Sequence, residues 1–182
     1  MTPAHRNVLI PRFGGHFAYE DKMKTIQLTK GQVTIVDDKW FEQLNQYKWC
    51  ALYIPRMDSY YAVRGGGHGR KTILMHRIIS NAKDGEKVDH KNRNTLYNLE
   101  ENLRVCSNVQ NLRNRGAQVN NMTGYKGVSP SLKKWQARIK FGNKQVYLGT
   151  FDTAEQAAIA YDNSAVENFG EFAGLNFPKE QR

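Results

Sequence analysis

At 182 residues, with 40% apolar and 11% aromatic side chains, the chain is long enough to bury a core and too apolar for a disordered segment. Its net charge of +10, from 27 Lys and Arg against 17 Asp and Glu, points to a polyanionic partner. No apolar run nears the roughly 20 residues of a membrane span, and the opening residues lack a signal peptide's apolar centre, so no membrane partner is expected.

In chain order, residues 1–24 mix Pro, Gly and charge without a period and read as an N-terminal arm. From Thr25, "TIQLTKGQVTIVDD" alternates apolar and polar residues around "TKGQ", which predicts a hairpin. "KWFEQLNQYKW" sets Trp40, Phe41, Leu44 and Tyr47 on one helical side. "WCALYI" and "SYYAVR" read as strands. Gly65 to Arg70 reads as a flexible loop tip, with a phosphate cradle as the other reading of its glycines. Cys50 and Cys106 sit in apolar stretches and read as reduced core residues of an intracellular protein; a disulfide between them stays open.

Val88 to Asn111, "VDHKNRNTLYNLEENLRVCSNVQN", is dense in asparagine, which suits neither helix nor strand because its amide competes for backbone hydrogen bonds. Ser107 stands where the N-cap of a short helix belongs. Residues 116–124 are polar, glycine-bearing and aperiodic, a linker. Beyond them "YKGVSPS", "KWQARIKFGN" and "KQVYLGTF" read as three short strands, with Gly142-Asn143 turning the second hairpin. A helix follows, capped by Thr153 with Gln156 in a capping box and ended by Gly170. Ala154, Ala158, Tyr161 and Ala165 recur at helical spacing and read as core packing against the sheet. Arg138 and Lys140 alternate with Ala137 and Ile139, so the opposite sheet face is cationic. From Asn102 to Phe151 there is no Asp or Glu against nine Lys or Arg, threaded with Tyr125, Trp135 and Tyr147. That is a nucleic-acid surface more than a solvated basic face.

The asparagine-rich stretch also allows chemistry. If Asp89 and His90 end a strand, and a helix from Ser107 to Arg115 packs on the same hairpin, Asn111 faces back toward Asp89. A carboxylate oxygen and an amide oxygen are hard donors that suit magnesium or manganese. Phosphodiester hydrolysis needs a metal, an activated water and a rigid relation between them. Asp89 with Asn111 can supply the first and His90 the second. Asn102 can supply the third, because its amide donates and accepts at once and so ties loop backbone.

"MHRIIS" followed by "VDHKNRNTLYNLEENLRVCSNVQNLRN" resembles the His-Asn-His (HNH) nucleases, in the variant of phage and intron homing endonucleases, over roughly Lys71 to Arg115. The resemblance implies a ββα-metal (His-Me finger) fold, His90 as general base, Asp89 and Asn111 as metal ligands, and Asn102 as the middle Asn that holds the loop. The third motif position, often histidine, is asparagine here. His76 matches a lead-in histidine, with a core role and a phosphate-contact role both open. "QLTKGQVTIVDDKWFEQLNQYKW" also looks like the N-terminal region of such nucleases.

"YKGVSPSLKKWQARIKFGNKQVYLGTFDTAEQAAIAYDNSAVENFGEFAGLNFP" resembles the plant Apetala/ethylene-response-factor DNA-binding domain, with "YLGTFDTAEQAAIAYD" and "LNFP" its strongest matches. The resemblance implies that the exposed sheet face enters the major groove. By position it makes Lys126, Ser129, Arg138, Lys140, Gln145 and Tyr147 the DNA contacts. Several family arginines are Ser or Lys here and a family tryptophan is Tyr147, so bidentate readout by Arg is reduced.

The expected whole is an α+β chain. It has an arm over 1–24, a ββα-metal nuclease domain over 25–115, a linker over 116–124, and a three-stranded antiparallel sheet on one helix over 125–178. The expected function is a site-specific DNA endonuclease of homing type, phage- or intron-encoded and working in a bacterial cytoplasm. It would act on double-stranded DNA as a monomer or dimer, nicking with one divalent ion, magnesium or manganese. The alternative is a non-catalytic, sequence-specific DNA-binding regulator.

Overall fold

The computed structural model of the chain describes residues 22–65, 69, 71–117 and 121–177. Nearly all of the expected arm, most of the expected loop tip at Gly65 to Arg70 and the centre of the expected linker lie outside the described residues.

The first hairpin forms where sequence alternation places it. β1 (Met23–Gln27) and β2 (Val33–Asp37) pair antiparallel with Thr25 opposite Ile35. Alternate residues reach the core: Ile26 is 3% exposed and Val36 is fully buried. A 3-10 turn at Thr29–Gly31 joins the two strands, with Lys30 at φ 59° and Gly31 at φ 66°.

α1 (Asp38–Asn45) buries Leu44 and packs Trp40 and Phe41 on the same core. The helix ends before Tyr47, whose exposed ring instead carries the Arg64 guanidinium 3.4 Å from its centroid. Trp49 is 1% exposed and its indole N–H donates to the Leu44 carbonyl at 2.8 Å. That bond satisfies the one polar atom of a large buried ring.

A meander follows, β3 (Cys50–Ile54), β4 (Ser59–Gly65) and β5 (Thr72–Leu74), leading into α2 (Met75–Ile79). Met75 and Ile79 close the core with Ala51 and Ala62. Burying Met75 or Ile79 contributes on the order of 1.5–3 kcal/mol each, and an alanine methyl roughly a third of that. Both cysteines are free thiols and Cys106 is buried, as expected; Cys50 differs, being exposed on the edge strand β3.

β6 (Lys87–His90) and β8 (Leu103–Cys106) pair antiparallel, Asp89 opposite Arg104 and His90 opposite Leu103. Between them β7 (Tyr97–Asn98) leaves the hairpin and pairs parallel with β2, completing the sheet β1-β2-β7. α3 (Asn108–Arg113) follows, with Ser107 as its N-cap in a full capping box with Gln110.

The expected ββα-metal nuclease fold over residues 25–115 is corrected here. That stretch is mostly β, three small sheets with short helices. At the place reserved for an ion, protein donors take the Asp89 carboxylate instead.

In the C-terminal part, β9 (Val128–Ser131), β10 (Lys134–Phe141) and β11 (Lys144–Phe151) form an antiparallel sheet in the order β11-β10-β9, and α4 (Ala154–Phe169) lies across one face. Ala157, Ala158 and Ala165 are fully buried, so the helix sits close on the strands. The approach is closest at Gly127, where an added Cβ would stand 2.1 Å from the Tyr161 ring and 2.6 Å from the Arg138 carbonyl; φ there is 76°. Only glycine fits that position.

Candidate nucleic-acid interface

With α4 covering one side of the sheet, alternation turns Arg138 and Lys140 to the other. Register sets their neighbours: Arg138 lies opposite Tyr147, Lys140 opposite Gln145, and Gln136 between Ser129 and Thr150. Arg138, Lys140, Gln145, Tyr147 and Thr150 are all exposed, with Tyr147 at 58%. The Tyr147 and Thr150 hydroxyls meet at 2.5 Å. The face therefore offers two cations, two amides, a hydroxyl pair and an exposed aromatic ring, a set suited to phosphates and base edges together. The wall behind it is rigid, because Val128, Ala137 and Ile139 point into α4.

Two members of this face, Gln136 and Thr150, are absent from the sequence-based set. Gln136 was readable from the same two-residue period as Arg138 and Lys140. Thr150 was not, because a bulge between Ala137 and Arg138 slips the register of β11 by one residue. The sixth expected contact, Lys126, is placed differently. Its ammonium donates to the carbonyls of Arg113 at 2.6 Å and Arg115 at 2.7 Å, and burial pushes its pKa down to about 8.

The expected catalytic residues occupy a buried polar network. Asp89 is 6% exposed; its Oδ2 accepts from Arg104 Nε at 2.9 Å and Nη2 at 2.6 Å, and its Oδ1 from the Asn114 amide at 3.0 Å. The amide that reaches Asp89 is thus Asn114, which also bonds the His90 carbonyl, while the expected ligand Asn111 stands one turn earlier on α3, half-buried. His90 is 4% exposed and its Nε2 lies 3.1 Å from Asn98 Oδ1. The Asn98 amide N–H donates to Thr34 Oγ1, and that hydroxyl donates to the Leu96 carbonyl. This chain of bonds assigns the ring proton to Nε2, donating to Asn98. Asn102 holds loop backbone, accepting from the Asn92 N–H at 3.0 Å and donating to the Tyr97 carbonyl at 2.7 Å.

His76, 7% exposed, packs edge-on with its centroid 5.2 Å from the His90 ring and 5.7 Å from Tyr61. Burial, then the neighbouring His90 and Arg77 charges, push His76 down to about 3. Burial also lowers His90, against the Asn98 bond and the Asp89 charge. Among the described residues no group of three or more His, Cys, Asp or Glu is placed to hold a metal ion.

No protein-family model matches the chain. Its similarities are to plant transcription factors. Dehydration-responsive element-binding protein 2D of Arabidopsis thaliana is 40% identical over 74 residues, 39% of this chain and 36% of the relative. Ethylene-responsive transcription factor ERF069 of the same plant is 33% identical over 96 residues, 50% of this chain and 58% of the relative. Ethylene-responsive transcription factor WRI1 is 54% identical over 46 residues, 24% of this chain and 11% of the relative. The chain spans less than two thirds of the length of each of these curated relatives.

These similarities support an Apetala/ethylene-response-factor-like DNA-binding domain and correct several expectations. The relatives are transcription factors, so the endonuclease activity, with His90 as its general base, is withdrawn, while Asn102 does tie the loop backbone as expected. The magnesium or manganese ion on Asp89 and Asn111 goes with it, since Arg104 and Asn114 already hold the Asp89 carboxylate. A phage or intron origin and a bacterial cytoplasm are withdrawn too, because the relatives are transcription factors of a plant. Relatives of this kind bind double-stranded DNA, and no described helix is long and apolar enough to cross a membrane.

Proposed function

We propose that the chain is a sequence-specific DNA-binding regulator that reads double-stranded DNA with the exposed face of β9, β10 and β11. Residues 125–178 form the reading unit, 25–115 a structural companion, 116–124 the link between them and 1–24 a leading arm. Ser129, Arg138, Lys140, Gln145 and Tyr147 are the contacts, joined by Gln136 and Thr150. The observation that carries this reading is the two-sidedness of the sheet. One face is closed by α4; the other is polar, cationic and open, on a frame stiff enough to hold its side chains in register. The similarity to DNA-binding regulators supports the same assignment.

Arg138, at the centre of the face, is the residue to test. Selection from a randomised duplex library should enrich one motif. On that duplex Arg138→Ala should lose about 1–3 kcal/mol of binding, the worth of one good base contact. Equal affinity of the wild-type chain for the enriched and a scrambled duplex would defeat the proposal.

A further inference from the structure

We infer that Lys126 is a positioning residue that ties the DNA-reading sheet in one fixed orientation to the rest of the chain, and is not a phosphate contact. The inference rests on the proposed DNA-binding reading only for its consequence, since the tie itself is a matter of contacts within the chain.

Arg113 ends α3, so its carbonyl has no partner within the helix. The Lys126 ammonium takes that carbonyl and the one from Arg115, and the Gly174 N–H donates to Arg113 as well, at 3.2 Å. A cation at a helix C-terminus is favourably placed against the helix dipole. The other end of Lys126 is held from the C-terminal side. Its N–H donates to Asn176 Oδ1 at 2.6 Å, its carbonyl accepts from the Asn176 amide at 3.1 Å, and the Asn176 N–H in turn donates to Asp162.

The approach is tight. A Cβ on Gly174 would stand 2.5 Å from the Arg113 carbonyl oxygen and 2.9 Å from that of Arg115. Two further contacts lie on the same seam. Arg104, clamped on Asp89, donates through Nη1 to the Glu171 carbonyl and lies 4.1 Å from the Phe172 ring centre; Arg113 lies 4.5 Å from that of Phe169. The Lys126 ammonium is half-buried and already gives two of its three N–H groups to carbonyls of the chain itself. A preset orientation also spares the sheet the entropy of being oriented on binding.

The test uses the full chain, ¹⁵N relaxation for tumbling and DNA binding across salt. Wild type should show one rotational correlation time for residues on both sides of the seam. Lys126→Met and Gly174→Ala should each show two, the C-terminal unit's the shorter, with both units keeping dispersed spectra. The slope of log K against log salt should stay unchanged in Lys126→Met, whereas removing a phosphate contact lowers it by about 0.9. Two correlation times in wild type, or a single one retained in Lys126→Met, would overturn the inference. If Arg138→Ala leaves DNA affinity unchanged, the DNA reading fails and the relaxation data still decide the tie.

Discussion

Asp89 and His90 show how one residue pair serves packing when its surroundings claim it. In sequence they are a bare acid and a bare imidazole beside many amides. In the fold Arg104 stands directly across the ladder from Asp89 and closes on it, and Asn98 reaches His90 from a strand paired with β2. Neither partner is local, so no spacing rule could name them. The spacing that suggested Asn111 was off by one turn, because the helix end brings Asn114 to the carboxylate. The two histidines carry a testable consequence. Both are buried with lowered pKa, so the unfolded chain, titrating near 6.5, binds protons that the folded chain refuses. Stability should be full above pH 7 and fall as pH drops from about 6.5 toward 5, by up to about 1.4 kcal/mol per pH unit from His76, with His90 adding in the same direction. Thermal melts across that window check it. A melting temperature flat from pH 7 to 5 would contradict the neutral, buried pair.

Elements with a strong local period were legible from sequence. The first hairpin, the three C-terminal strands and α4 all follow a repeat of two or 3.6 residues, with Thr153 and Gln156 reciprocally capping α4. α1 ended before the apolar stripe did, and Tyr47 fell outside it. β7 was unreadable: its two residues form a strand only because β2, more than sixty positions earlier, offers an edge. The capping box on α4 matters beyond the helix, since α4 is the backing of the proposed reading face. Thr153→Ala removes the bond that the Gln156 N–H donates to Thr153 Oγ1 at 3.2 Å, and should cost about 1 kcal/mol, read as a lower urea midpoint with an unchanged slope. An unchanged midpoint would mean that the cap contributes nothing.

At the scale of the whole molecule, the net charge of +10 announced a polyanion, and the acid-free run from Asn102 to Phe151 gathers nine of the 27 basic residues. What composition could not convey is how that charge is apportioned. Of the basic residues in the run, Arg104 is spent on Asp89, Lys126 on the end of α3 and Lys134 on Asp152, while Arg138 and Lys140 remain open on the sheet. The activity was misread for the same reason. A motif spells residue types, but burial and pairing decide what those residues do. The most direct test of the reading face is a map of amide chemical-shift changes as the full chain is titrated with its selected duplex. Shifts gathered along β9, β10 and β11, strongest around Arg138, Lys140 and Tyr147, are the predicted result. A bound complex whose shifts bypass those strands and collect elsewhere would contradict the account.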